Sequence, residues 1–309
     1  MKIATCLEGI EDIVESEVKG KKIARGRVKF DSEVKDFRSV NDVYEILAEF
    51  KFRDIEDIER EASKLELNIK GNVKIECTRD GDHKFNSVDV EKAIGSALQK
   101  RGIKTSYKNF DSVLIADVVD NLCIIGIPVA MKLNKRNYRV RINNQGVHPC
   151  LAYAMLRIAG YKENSVLLDP FCKDATILIE AALLHAGKIY GIDFNRNNIR
   201  NAEINTKMAK VEIKLNNAEM DWVDTFFKKG EIDFIVSYPI FESKRRRGNI
   251  VKNVLTEFFH QAGHVLKGKI VLLSPDKKIL DYANNFKIKE ERKIKIGKSN
   301  FFIFALIPG

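Results

Sequence analysis

The chain has 309 residues, 45% of them hydrophobic, and a formal net charge of +10 at pH 7. That length accommodates two or three domains with real cores, and no apolar run is long enough to span a membrane. The charge excess favours a polyanionic partner, although a generally lysine-rich proteome would give the same balance.

The N-terminus carries acidic residues early and lacks the apolar core of a signal peptide. Cys6, Cys77, Cys123, Cys150 and Cys172 are scattered, with no Cys-x-x-Cys pair. Reduced thiols in the cytoplasm and no structural metal are expected, each cysteine serving as a small buried hydrophobe.

Residues 1–50 read as a small ferredoxin-like α+β domain. Lys2–Leu7 and Gly26–Phe30 read as strands. Ile10, Ile13, Val14 and Val18 recur at helical spacing, and Val43, Ile46 and Leu47 predict a second helix over Val40–Phe50. A charged helix, Ile55–Leu65, follows. No catalytic cluster occurs in this stretch.

In residues 51–133, Val73–Thr78 alternates apolar and polar as a half-buried strand does. Asp89–Gln99 predicts a helix with Val90, Ala93, Ile94, Ala97 and Leu98 inward. Ser87 is its expected N-cap, and Asp89 complements its dipole. Val113–Val119 and Leu122–Ile127 are two more strands, joined at Asp120-Asn121. Residues 134–150 form a basic linker with a ring inside it: Lys135, Arg136, Tyr138, Arg139 and Arg141. Cations beside a stackable ring suit a phosphate backbone and an unstacked base; packing at a domain junction explains them equally well.

In residues 151–309 strands alternate with helices, which predicts a mostly parallel, doubly wound sheet. Val166–Leu168 is a buried strand, Asp169–Ala175 a tight loop, and Thr176 opens an apolar helix. Such sheets bind ligands outside the carboxyl ends of their strands. The loop is therefore the expected site of a nucleotide-like cofactor. Lys188–Ile192 is the second strand and ends at Asp193, placed for a ribose hydroxyl pair or to cap the helix near Asn195. Glu212–Leu215, Ile232–Ser237 and Lys269–Leu273 extend the sheet, and Val251–Leu266 is a long amphipathic helix. Lys289–Ile296 and Asn300–Ile307 close it as an antiparallel hairpin. After Tyr238-Pro239-Ile240-Phe241 comes the basic run Lys244-Arg245-Arg246-Arg247, which suits RNA phosphates or a solvated loop.

Two resemblances attach to these motifs. Arg79-x-Gly81-x-His83-x-Phe85-x-Ser87 resembles the THUMP domain, an RNA-binding module of tRNA-modifying enzymes that grasps the acceptor end of tRNA. It implies RNA-binding roles for Arg79, His83, Phe85 and Ser87. Asp169 to Ala182 resembles the cofactor loop of S-adenosylmethionine (SAM)-dependent RNA methyltransferases, with Lys173, Asp174 and Ala175 where that family has Gly-Ser-Gly. The resemblance implies SAM as cofactor, contacts from Asp169, Phe171, Lys173 and Ala175, and Asp193 at the ribose. Glu219 stands for the aspartate that meets the adenine amine. Tyr238-Pro239-Ile240-Phe241 occupies the catalytic Asn-Pro-Pro-Tyr position, where a carboxamide and a backbone carbonyl orient the guanine amine and the aromatic residue stacks on the base. Pro239 and Phe241 match; Tyr238 and Ile240 depart. The linker matches a Lys-Arg-x-Tyr-Arg segment of the same family.

The implied fold is a Rossmann-like methyltransferase domain over 151–309, preceded by the ferredoxin-like domain (1–50), the THUMP domain (51–133) and the linker (134–150). The implied function is that of a tRNA-binding relative of the THUMP-containing tRNA guanine-N2 methyltransferases. A Lys173 cation 4–6 Å from the sulfonium would repel it by roughly 3–4 kcal/mol at a surface-like dielectric. Ala175 is expected to keep a negative φ. Three readings follow: weak or lost methyl transfer, an active enzyme forming N2-methylguanosine, or a non-catalytic tRNA chaperone or partner subunit. A monomer bound to neither membrane nor metal is expected.

Overall fold

The computed structural model describes residues 1–67, 71–242 and 248–309. It divides into two compact units, Met1–Cys6 with Val14–Leu133, and Leu7–Ile13 with Asn134–Gly309.

The N-terminal part of the chain runs through β1 (Lys2–Thr5), α1 (Glu11–Val18), β2 (Lys21–Ala24), β3 (Arg27–Phe30) and β4 (Asp42–Lys51). It continues through α2 (Ile55–Ala62), β5 (Val73–Asp80), α3 (Ser87–Lys100), β6 (Ser112–Val119) and β7 (Leu122–Ala130). The seven strands form one sheet in the order β2-β3-β1-β4-β7-β6-β5. The helix expected over Val40–Phe50 is a strand. β4 pairs antiparallel with both β1 and β7, so its backbone is satisfied on both edges. The register slips between Val43 and Tyr44 and again between Ile46 and Ala48. A bulge sets two residues against one and breaks the alternation of side chains, which is why apolar residues here fall at a helix-like spacing. Because β4 joins strands from both sides of residue 50, the sheet has no break there.

α3 is capped by Asn86 rather than Ser87. The Asn86 carboxamide oxygen accepts from the amides of Val88 (2.8 Å) and Asp89 (3.2 Å), and the Asp89 carboxylate accepts from the Asn86 amide (2.9 Å). This capping box satisfies amides that the first turn leaves unpaired. Val90, Ile94, Ala97 and Leu98 then pack with Ile58 and Ala62 of α2 over the sheet. Inside the sheet, the buried Asp117 of β6 accepts from Nε and Nη2 of the Arg27 guanidinium (2.6 Å to Nη2), the Tyr44 hydroxyl (2.7 Å) and the Thr78 hydroxyl (2.9 Å). A carboxylate 1% exposed persists only with such full pairing.

The C-terminal part begins with α4 (Pro149–Ala159), β8 (Val166–Asp169), α5 (Thr176–Leu184), β9 (Lys188–Ile192), α6 (Arg196–Ala209) and β10 (Lys214–Asn216). α7 (Val223–Phe226), β11 (Ile232–Ser237), α8 (Gly248–Val265), β12 (Leu266–Ser274), β13 (Phe286–Ile296) and β14 (Ser299–Pro308) complete it. Its sheet runs β10-β9-β8-β11-β12-β14-β13. The first five strands are parallel, and β14 is antiparallel to both β12 and β13. The third strand begins two residues later and ends one residue later than the expected Glu212–Leu215. Strand order reverses between β8 and β11, so the loops after these two strands meet at the carboxyl edge, where such sheets bind ligands. Among the described residues no helix is long and apolar enough to cross a membrane, and no cluster of His, Cys, Asp or Glu could hold a metal ion.

Candidate functional site

β8 delivers the buried Asp169 to the carboxyl edge. Its carboxylate accepts from the Phe171 amide (3.1 Å) and the Ser237 hydroxyl (2.6 Å), tying β8 to β11. Burial raises its pKa well above the usual carboxylate range, against the Ser237 hydrogen bond and the Lys173 charge. In the following loop the Cys172 amide donates to the Ile192 carbonyl (3.0 Å), the Lys173 amide to Asp193 Oδ2 (3.1 Å), and the Ala175 amide to the Cys172 carbonyl (2.7 Å). Lys173 (φ 50°) and Ala175 (φ 61°) both lie in the left-handed region. The negative φ expected for Ala175 is thus corrected: the loop keeps a glycine-type backbone without glycines. Each such residue costs roughly 1–2 kcal/mol, and the three hydrogen bonds hold the strained geometry in place.

The Lys173 side chain, 6% exposed, turns into the crevice. Its ammonium donates to the Tyr238 carbonyl and sits 4.1 Å from the centroid of the Tyr238 ring. That ring stacks on Phe241 (5.6 Å, 22°) and meets Phe301 edge-on (6.3 Å, 74°). Pro239 and Ile240 are buried beside it, and burial pushes the Tyr238 phenol pKa up. The two aromatic residues of the degenerate motif therefore stack on each other. Beside them a shallow gap of about 10 Å3, open to solvent, is bounded by Gly146, Asp169, Phe171, Lys173, Ile177 and Tyr238. The Lys173 ammonium and the Tyr238 ring together fill the part of the crevice between the loops after β8 and β11.

The other half of the crevice is different. Asp193 is 4% exposed. Its Oδ1 accepts from the Asn195 amide (2.9 Å) and the Asn198 carboxamide (3.0 Å), while Oδ2 takes the Lys173 amide. The cap of α6 is Asn195, which accepts from the Asn197 amide (2.9 Å). A carboxylate oxygen takes about two bonds, so Oδ2 retains one acceptor position. Glu219 is exposed and precedes a short 3-10 turn at Met220–Trp222. Phe194, 48% exposed next to Asp193, escaped the sequence reading; the available signal was an aromatic residue directly after the acidic strand end.

The linker residues expected at RNA are engaged inside the second unit. Arg136 Nε donates to Glu180 Oε1 (3.0 Å), as does the Tyr138 hydroxyl (2.6 Å), and Glu180 is fully buried on α5. Arg139 donates to Asp174 Oδ2 (3.3 Å), which also accepts from the Asn143 amide (3.1 Å). Arg136, Tyr138 and Arg139 thus serve the buried carboxylates Glu180 and Asp174, which need such partners, as the packing alternative expects. Lys135 and Arg141 remain exposed. His148 lies beside them, its ring Nε2 3.1 Å from the Asn134 carboxamide. Burial and the Arg139 and Arg136 charges lower its pKa to about 4.

In the first unit, Arg79 donates to the Gly81 carbonyl (3.1 Å) and to His83 Nδ1 (2.8 Å), and His83 Nε2 lies 2.5 Å from the Asp120 carbonyl. An accepting Nδ1 places the ring proton on Nε2. His83 stacks on Phe85 (5.0 Å), and both approach Phe52. A Cβ on Gly81 (φ 132°) would stand 2.8 Å from His83, so this motif builds the turn between β5 and α3. Ser87 is half-buried at the start of α3. Lys244, Arg245, Arg246 and Arg247 lie outside the described residues.

A family model described as UPF0020, RMKL-like methyltransferase domain, matches residues 136–301, and one for the THUMP domain matches 52–128. The tRNA (guanine(6)-N2)-methyltransferase of Methanocaldococcus jannaschii is 25% identical over 280 residues, 74% of this chain and 74% of that protein. The human U6 snRNA (guanine-N(2))-methyltransferase THUMPD2 is 29% identical over 207 residues, 66% of this chain and 40% of that protein, so the match spans less than half of its length. The crystal structure of TrmN from Thermus thermophilus superimposes with a TM-score of 0.82 at 22% identity, covering 100% of this chain and 99% of that one. The shared fold is the Rossmann-like methyltransferase fold with its N-terminal sheet.

Proposed function

The chain belongs to the RMKL-like methyltransferase-domain family and carries a THUMP domain, and from that premise we propose that it is a tRNA-binding member in which methyl transfer is weak or lost. The observation that carries this reading is the Lys173 ammonium, buried in the crevice against the carbonyl and ring of Tyr238. A cation in that position opposes a sulfonium electrostatically as well as sterically. Tyr238 reinforces it: its ring lies between the Lys173 ammonium and Phe241, which takes it out of use for a target base. The partner is tRNA, as the names of the relatives and the +10 net charge suggest.

The second reading, an active SAM-dependent enzyme forming N2-methylguanosine in tRNA, is favoured by the activity printed for the relatives and by Asp193, whose spare acceptor suits a ribose hydroxyl. Calorimetry of the unaltered chain with SAM separates the two. No heat at millimolar SAM is expected, and micromolar uptake would replace the first reading by the second. Gel-shift titration with tRNA at low ionic strength tests the shared part: binding that weakens as salt rises is expected, and indifference to tRNA removes both.

A further inference from the structure

Between Tyr138 and Val147, both buried, the linker buries no apolar side chain: Val140 is 50% exposed and Ile142 63%. Its backbone hydrogen bonds among the described residues are local turns. The Arg139 amide donates to the Arg136 carbonyl (3.1 Å), the Val140 amide to the Tyr138 carbonyl (2.9 Å) and the Gly146 amide to the Asn143 carbonyl (2.8 Å). Side chains tie the segment to the rest of the second unit. The fully buried Asn205 of α6 accepts from the Arg141 amide (2.9 Å) and donates to the Arg141 carbonyl (2.8 Å) and the Asp174 carbonyl (2.9 Å). The Asn143 amide donates to Asp174 Oδ2 (3.1 Å), and its carboxamide to Asn198 Oδ1 (2.9 Å). Asn198 and Asn205 are seven positions apart, on one face of α6. Asn198 donates in turn to Asp193 Oδ1 (3.0 Å). Two hydrogen bonds in series therefore join the linker to the carboxylate at the end of β9.

Gly146 lies close against the β8–α5 loop. A Cβ there would stand 2.7 Å from Asp174 Oδ2 and 3.0 Å from the Asn143 carbonyl. Gly146 and Val147 border the crevice beside Lys173. A segment with few buried apolar contacts, held by side-chain hydrogen bonds, opens at lower free energy than the core around it. Opening also leaves little unpaired. Asp174 Oδ1 keeps the Thr176 amide (3.3 Å) and hydroxyl (2.9 Å), and Asn205 keeps the Asp174 carbonyl. Arg139 gains by it: its Nε is buried with no acceptor among the described residues, and water would supply one.

We propose that Arg139 to Gly146 form a strap that opens as a unit between its anchors Tyr138 and Val147, uncovering the β8–α5 loop and, through Asn143 and Asn198, loosening Asp193 in the same event. The device does not depend on which ligand the crevice takes. Amide hydrogen exchange of the full chain, read on peptides by mass spectrometry, tests it. In the parent, the strap peptide should exchange roughly a hundredfold faster than the peptide containing β8, at a rate that sub-denaturing urea leaves unchanged. Gly146→Ala presses the strap off Asp174. Exchange in the strap and in the peptide Asp193–Arg200 should then rise together, each about tenfold, with melting within a few degrees of the parent. A parent strap that exchanges only as fast as β8 opens only when the unit unfolds, and the proposal falls. A Gly146→Ala strap that speeds up while Asp193–Arg200 keeps the parent rate overturns the link to Asp193. Should Gly146→Ala fail to fold, Asn143→Ala, which cuts the bond to Asn198, is read in the same way: both peptides should speed up, and an unchanged Asp193–Arg200 overturns the link.

Discussion

The ammonium of Lys173 stands 4.1 Å from the centroid of the Tyr238 ring and donates to the carbonyl of the same residue. The loop after β8 and the loop after β11 are thereby joined across the crevice by one side chain. Replacing Lys173 by glycine removes this tie and relieves a left-handed φ of 50°, two effects of similar size and opposite sign, roughly 1–2 kcal/mol each. We expect Lys173→Gly to melt within a few degrees of the parent. Combined with Ala175→Gly and Tyr238→Asn, it should bring SAM binding from undetectable to micromolar in calorimetry. A triple variant that still ignores SAM would refute this account of the loops.

Asp117 makes a different kind of prediction. Its carboxylate is 1% exposed and holds the Arg27 guanidinium, whose side chain is 13% exposed. Asp117→Ala leaves that cation without its partner, at a cost of about 3–5 kcal/mol, read as a lowered urea midpoint. Tyr44→Phe removes one neutral donor and should cost about 1 kcal/mol. Equal losses for the two would contradict the central role of the charge pair.

His148 gives the second unit an acid-sensitive limb. Its folded pKa of about 4 lies below the ordinary value of 6.5. Between these values the unfolded chain takes up the proton and the folded chain does not. Stability is therefore held above pH 6.5 and declines as pH falls towards 4, by about 3 kcal/mol in full. His148→Asn should flatten this part of the stability profile between pH 7 and pH 4.5. A variant steeper than the parent over that range would show the sign to be wrong.

Arg136 separates structural from RNA roles in the linker. Arg136→Met strips the buried Glu180 of its cation while the Tyr138 hydroxyl stays. A loss of about 3 kcal/mol in stability is expected, with tRNA affinity, measured well below the melting point, changed less than twofold. Weakened tRNA binding at unchanged stability would return Arg136 to the RNA surface.

The order of strands and helices after residue 150 was legible because each strand is a short apolar run beside its own loop, a local signal. The strand at Asp42–Lys51 was not: two slips in its pairing with β7 break the alternation that marks a strand. Likewise Asn86 and Ser87 are both good cap residues, and the backbone turn at Asn86 selected between them. The site was half legible. Asp169, Asp193 and the two departing motifs could be named from the residues, but the φ of Ala175 could not.

What the sequence alone determined is the parallel-sheet framework, the placement of the loops after β8 and β11 and their departure from the glycine-rich and carboxamide forms, since these depend on neighbours along the chain. Tertiary structure decided which partner each charged or aromatic side chain takes. Lys173 meets Tyr238 across 65 positions, and Arg136 and Tyr138 meet Glu180 across 44 and 42. A cation or a phenol forced out of water binds whatever acceptor the fold brings to it, and that acceptor lies far beyond the reach of any local pattern.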